Sequence, residues 1–427
     1  MTAFKNTLSY AQDLDANDPL KSFRQQFIIP FHEGKEQAYF LGNSLGLQPK
    51  NTKTEILKIL DQWGAYGVEA FFMGDNPWLH YHEQLTKPLS VIVGALPEEI
   101  AVMNQLTVNL HLMLASFYQP KGKRKKILCE AKAFPSDQYM LETQAKHHGF
   151  DPEEIIVEVT PRPGEHKIHT EDILTAINQH KSELALILFS GLNYYSGQVF
   201  DMKTITEAGQ NIGAKVGFDL AHAAGNIELK LHDWNIDFAC WCNYKYLNSG
   251  PGAIGGIYIH ERYHRDHTIP RLAGWWGHDK ATRFNMEKGF KPIPTAEGWQ
   301  LSTPPLILYA SHKAALDVIQ SAGWYTILEK SRSLNDYLWH IIDEVQNEFA
   351  DRLTCITPRA KEEKGSQVSL LTISNGRELF DRLTRAGFVT DWRKPDLVRL
   401  APVPLYNTYE EVWRLGQTLK QILSEGL

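Results

Sequence analysis

Apolar residues along the first two-thirds of the chain fall in short unbroken runs, separated by polar or helically spaced stretches. Ile127-Leu128-Cys129, Ile155 to Val159, Leu184 to Phe189, Val216-Gly217-Phe218, Phe238 to Cys242 and Ala253 to Ile259 each read as a strand. The run Leu184 to Phe189, apolar at every position, is of the kind buried on both faces of a parallel sheet. Strands recurring with helical crossings predict an α/β domain with a largely parallel sheet. Ahead of them, Ala38 to Leu41 is a short strand, and Ile56, Ile59, Leu60 and Trp63 mark a helix ended by Gly64 or Gly67. Thr107 is the expected cap of an apolar helix over Val108 to Tyr118.

Beyond Ser302-Thr303-Pro304-Pro305 the pattern changes, with helices from about residue 306. Leu334, Leu338, Ile341, Ile342 and Val345 give one long amphipathic helix. Val368 to Ile373 and Leu397 to Ala401 read as strands. Thr408-Tyr409-Glu410-Glu411 is a capping box before a helix with Val412, Leu415, Leu419 and Ile422 inward. The expected division is an N-terminal arm over residues 1–50, a large domain over 51–305 and a smaller α+β domain over 306–427. The arm, polar and with little core of its own, would join the small domain to the active site.

Composition narrows the class. A chain of 427 residues, 43% hydrophobic and 22% charged, is a globular protein too long for one ordinary core. A net charge of −6 offers no general field for nucleic acid or an acidic membrane. The basic run Lys121 to Lys126 leads straight into an apolar strand and reads as a solvated loop. Four cysteines make no disulfide framework, and Cys240 and Cys242 share one strand face as buried filler. No second Cys pair or His-Glu-x-x-His spacing accompanies them, so no metal site is expected. Met1 to Lys5 opens no long apolar region, and a cytoplasmic enzyme is the expectation.

The candidate chemistry lies between Val216 and Gly256. One apolar strand delivers Asp219 at its end, and a later one delivers Asn243-Tyr244-Lys245 before a loop of small residues. A lysine and a carboxylate so placed suit pyridoxal phosphate. The lysine would form the Schiff base, and the acid would pair with the pyridine nitrogen so that the ring draws electrons. A lone lysine after a strand is ordinarily a solvated loop residue, and an Asp there a helix cap, so spacing leaves both readings open. A rival lies in Gly42-Asn43-Ser44-Leu45-Gly46, which matches the G-x-S-x-G elbow of serine hydrolases. Against it stand its position ahead of any sheet, the lack of an oxyanion loop and the nearby Gln48-Pro49.

Phe218-Asp219-Leu220-Ala221-His222 and Trp241 to Asn248 closely resemble the kynureninases, pyridoxal phosphate enzymes with the fold of aspartate aminotransferase (fold type I). Matching segments run from about residue 40 almost to the C-terminus. The resemblance implies hydrolysis of L-kynurenine or its 3-hydroxy form to anthranilate or 3-hydroxyanthranilate plus L-alanine, in tryptophan catabolism and NAD biosynthesis. It makes Lys245, Tyr244 and Asp219 catalytic, with Tyr244 a proton donor or relay. Leu106 and Thr107 become the phosphate turn, and Phe134 stacks on the ring beside Pro135 and Ser136. Asp137, Ser190 and His222 complete the surround of the cofactor. Asn43 and Ser44 line the entrance, and Arg399, on a strand face with Leu397 and Ala401, clamps the substrate carboxylate. Trp275 and Thr303 would reach the cofactor from the neighbouring subunit of a homodimer. Thr303 is a departure, because many kynureninases carry Asn there. Two further enzymes of the same fold type stay as alternatives, an aminotransferase and a cysteine desulfurase using Cys355.

Overall fold

The computed structural model describes residues 4–426. Its centre is a seven-stranded sheet in the order Ile100–Val102, Gly255–Ile259, Phe238–Cys242, Lys215–Asp219, Leu184–Ser190, Lys126–Glu130, Ile156–Val159. The four pairings from Phe238–Cys242 to Ile156–Val159 are parallel. Gly255–Ile259, expected as one more strand of the parallel set, instead runs antiparallel to both its neighbours. Its connection from Phe238–Cys242 is the short loop carrying Lys245. That loop, residues 243–254, contains no helix to carry the crossover that a parallel return requires.

Alternate strand residues feed two cores. Ile187, Phe189, Val216, Phe218 and Trp241 face one side, with helices Glu83–Val93, Met202–Asn211 and Leu306–Ala322 over them. Leu186, Leu188, Phe238, Cys240 and Ile257 face the other, under Leu106–Phe117 and Pro135–His147. Both faces being covered is why these strands read as unbroken apolar runs. Each such side chain taken from water contributes roughly 1.5–3 kcal/mol.

A second, four-stranded antiparallel sheet runs Leu353–Cys355, Val368–Thr372, Leu397–Leu400, Asp391–Arg393, against the helices Trp324–Glu348 and Tyr409–Glu425. The capping box forms: the Thr408 hydroxyl accepts from the Glu411 amide at 3.1 Å, and the Glu411 carboxylate accepts from the Thr408 amide at 3.2 Å. The first fifty residues contribute more core than their polar sequence implies. Ala11, Ala38 and Phe40 are buried in this second core. Asp15 accepts from the Tyr409 and Glu410 amides at 2.8 and 2.9 Å, so helix Leu8–Ala16 caps the last helix of the chain. Asp18 and Lys330 form a buried pair at 2.6 Å. Ala38–Tyr39 then pairs in parallel with Phe388–Val389 and carries the chain toward the large sheet.

Candidate active site

The parallel strands end on one edge of the sheet, and there Glu130, Ser190 and Asp219 stand side by side. Ligands of open α/β sheets collect at such an edge. A cavity of about 370 Å³ opens there between the two sheets. Lys245 and Tyr244 project into it from the loop after Phe238–Cys242. The loop is pinned from inside: Asn243 Nδ2 donates to the Ile254 carbonyl at 2.7 Å, and Ser249 Oγ hydrogen-bonds His312 Nδ1 at 2.7 Å. Gly46 seals it from outside, its amide donating to the Tyr244 carbonyl at 2.8 Å. A Cβ on Gly46 would lie 2.3 Å from the Lys245 carbonyl oxygen, so only glycine allows this approach.

Among the described residues Lys245 has no ion pair or hydrogen-bonded side-chain partner; its Nζ lies 5.7 Å from the centre of the Tyr244 ring. Asp219 is buried and accepts from the Ala221 amide at 2.7 Å. Burial raises its proton affinity, and the charge of Lys245 and the Ala221 amide oppose that rise. Asp137, in the first turn of Pro135–His147, has one carboxyl oxygen without a partner. Burial first, then the neighbouring Asp219, push its carboxyl well above the usual range. Two buried carboxyls, one with an unpartnered oxygen, are the kind of acceptor that a protonated pyridine nitrogen needs. His222 is buried with Nδ1 unpartnered, and burial, then the charges of Lys245 and Arg399, keep it neutral.

Leu106 and Thr107 open the helix that points its N-terminus into the cavity. Thr107 is not the cap. That position is Gln105, whose side chain makes no capping bond, so Thr107 sits in the first turn with free amides beside it. Unpaired amides at a helix start suit a phosphate. Phe134 and Ser136 line the cavity, Phe134 meeting Tyr194 edge-on at 5.2 Å; Pro135 starts the helix and does not line it. An unpaired lysine, a buried carboxyl pair and an open helix N-terminus around one cavity fit the aldehyde, nitrogen and phosphate of pyridoxal phosphate.

Arg399 is buried on Leu397–Leu400, directly across from Asp391 in the strand register. Its Nε and Nη2 hold Asp391 Oδ2 at 2.6 and 2.5 Å, and its Nη1 donates to the Tyr194 carbonyl at 2.7 Å. Two of its five N–H donors make hydrogen bonds, which leaves donors on Nη1 and Nη2 for a carboxylate. Asn43 and Ser44 reach the same cavity, Asn43 anchored by donating to Gln367 Oε1 at 2.9 Å. Among the described residues Ser44 hydrogen-bonds no histidine, and it sits in a turn rather than between a strand and a helix. Cys355 lies away from the cavity, and burial pushes its thiol up to about 11. Trp275 and Thr303 do not line the cavity of their own chain: Trp275 is part-exposed with Nε1 on the Arg283 carbonyl, and Thr303 borders a separate hollow shared with Gln105.

Glu130 and Arg393 also line the cavity and escaped the sequence reading. Glu130 carried a usable signal, a carboxylate closing an apolar strand just as Asp219 does. Arg393 carried none, since its approach depends on strand register.

The Kynureninase C-terminal domain family matches residues 327–419. A kynureninase of Flavobacterium psychrophilum is 52% identical over 423 residues, covering 99% of this chain and 100% of its own. That of Flavobacterium johnsoniae is 52% identical over 98% of both chains, and that of Myxococcus xanthus 48% identical over 98% and 97%. Among solved structures, a C-DES mutant with glycine covalently linked to the PLP-cofactor superposes with a TM-score of 0.75 at 18% identity, over 90% of this chain and 97% of that one. The apo cysteine desulfurase of Thermococcus onnurineus gives 0.74 at 17% identity over the whole of both chains. These two establish the fold, the fold type I expected from the sequence. Relatives at about half identity along the full length show the family: the chain belongs to the kynureninases.

Proposed function

We propose that this enzyme uses pyridoxal 5′-phosphate to hydrolyse L-kynurenine, its 3-hydroxy form or both, giving anthranilate or 3-hydroxyanthranilate and L-alanine. The observation that carries the reading is Lys245, an unpaired amine facing a buried acid pair across a cavity that a helix N-terminus enters. Bound there, the cofactor supplies a carbonyl carbon for amines and a ring that accepts electron density from the substrate's α-carbon. Asp219, with Asp137 behind it, holds a proton at the ring nitrogen. Leu106 and Thr107 present amides to the phosphate, and Phe134, Ser136, Ser190 and His222 border the ring. Arg399 forks the substrate carboxylate, and Asn43 and Ser44 close the entrance.

With the cofactor and substrate bound, Lys245 Nζ would be the base that takes the substrate's α-proton and holds it for return within the cavity. Water would then add to the side-chain ketone; as the bond to the β-carbon breaks, the ketone carbon leaves as the carboxylate of anthranilate, and the β-carbon keeps the electron pair and takes a proton to become the methyl group of alanine. Burial pushes the Tyr244 hydroxyl up, so it stays protonated and able to donate as charge develops. We assign the chain an arm, a large cofactor domain bearing Lys245 and a small domain bearing Arg399, with helix Leu306–Ala322 packed in the large sheet's core. The enzyme acts as a homodimer, with Trp275 and Thr303 serving the partner's cavity. No helix among the described residues is long and apolar enough to cross a membrane. A cytoplasmic location accords with four free cysteines, three of them buried.

Reconstituted protein should be yellow, release fluorescent anthranilate from kynurenine, and lose its colour on borohydride treatment with the label fixed at Lys245. Lys245→Ala should lose all turnover. A colourless active protein, or a label on another lysine, would overturn the assignment.

A further inference from the structure

Glu130 is buried at the end of Lys126–Glu130, lines the cavity, and has no cation against it among the described residues. Both of its carboxyl oxygens meet Ser190: Oε2 accepts the Ser190 amide at 2.8 Å, and Oε1 pairs with the Ser190 hydroxyl. Ser190 is in register with Asp219 on the next strand, so Glu130, Ser190 and Asp219 form a row along the sheet edge. From the structure we infer that Glu130 is a positioning residue whose proton sets the direction of the Ser190 hydroxyl. Ionised, Glu130 accepts from that hydroxyl and leaves only oxygen lone pairs facing the cavity. Protonated, it donates to the Ser190 oxygen and frees the hydroxyl hydrogen to donate toward the cofactor.

The surroundings make both forms accessible. Burial raises the affinity of Glu130 for a proton to about 7, the two Ser190 bonds oppose that rise, and the charge of Asp219 adds to it. Asp219 and Asp137 face it as acids and Lys245 as the cation beyond them. His222 stays neutral, the buried Cys129 holds its proton, and Glu158 stands in the adjoining strand. The inference rests on the pyridoxal phosphate reading of the cavity, and colour on reconstitution tests that reading separately.

The test follows the visible absorption of the bound cofactor from pH 6 to 8 in the wild-type holoenzyme, Glu130→Gln and Ser190→Ala, without substrate. The wild type should show an inflection near pH 7 that both variants lose, and combining them should add nothing further. A coloured wild type with no such inflection, or an inflection that survives in Ser190→Ala, overturns the inference. Should Glu130→Gln fail to fold, Ser190→Ala alone decides it, because Glu130 keeps its burial there and lacks only the hydroxyl it would turn.

Discussion

Two guanidinium groups compete for one carboxylate at the mouth of the site. Arg393 Nε and Arg399 Nε both hold Asp391 Oδ2, at 2.9 and 2.6 Å, so the trio keeps one positive charge unanswered. That surplus is what a substrate carboxylate would meet, and the end of the Arg399 fork is where it would meet it. Arg399→Lys keeps the charge but loses the fork and its grip on the Tyr194 carbonyl. A charge-assisted bond contributes roughly 1.5–3 kcal/mol, so KM for kynurenine should rise by about ten- to a hundredfold. Steady-state kinetics check this, and an unchanged KM would move the clamp to Arg393. The strand face of Arg399 was legible from Leu397, Arg399 and Ala401 alternating along the chain. Its partner was not, because Asp391 comes opposite only through a register that alternation leaves open.

At the scale of elements, the loop carrying Lys245 is held by the helix behind it. His312, on Leu306–Ala322, is fully buried; its Nδ1 bonds Ser249 and its Nε2 has no partner. Burial lowers its pKa from 6.5 to about 3. In the folded protein the ring therefore stays neutral through a range in which the unfolded chain takes up a proton. Stability tied to His312 is full above pH 6.5 and drains away as pH falls toward 3. By pH 5 the loss should be about 2 kcal/mol. His312→Gln removes that slope, so its deficit against wild type, measured by urea unfolding, should shrink by this amount between pH 7 and 5. Parallel pH curves for the two proteins would sink the assignment. Element types were easier to read than their directions or ends. Two-sided burial writes itself as an apolar run, whereas the antiparallel course of Gly255–Ile259 leaves no trace in hydrophobicity. The helix at Leu106 begins before Thr107 with no side chain capping it, so the one signal a sequence offers for a helix start is missing.

Seen whole, the molecule leaves a broad apolar surface uncovered. Helix Thr52–Tyr66, legible from its spacing, turns Leu57, Leu60 and Trp63 outward, and Trp63 is 61% exposed. Val68, Phe72, Met73, Phe284 and Met286 are exposed as well, Phe72 and Phe284 in contact with each other and Trp275 against Phe284. A monomer seldom carries so many large apolar groups in the open, whereas a stable dimer must bury on the order of 1,600 Å². If a second copy covers this face, Trp275 and Thr303, which fail to reach their own cavity, are free to serve the other one. The test combines two inactive proteins, Lys245→Ala and Trp275→Ala, and lets their subunits exchange. In a mixed dimer with shared sites, one site carries both defects and the other carries neither. Each mixed dimer then has one intact site, and about half of the dimers at equilibrium are mixed, so activity should return to roughly a quarter of wild type. Native mass measurement verifies the exchange. Mixed dimers that stay inactive would place Trp275 in its own subunit's site or outside both.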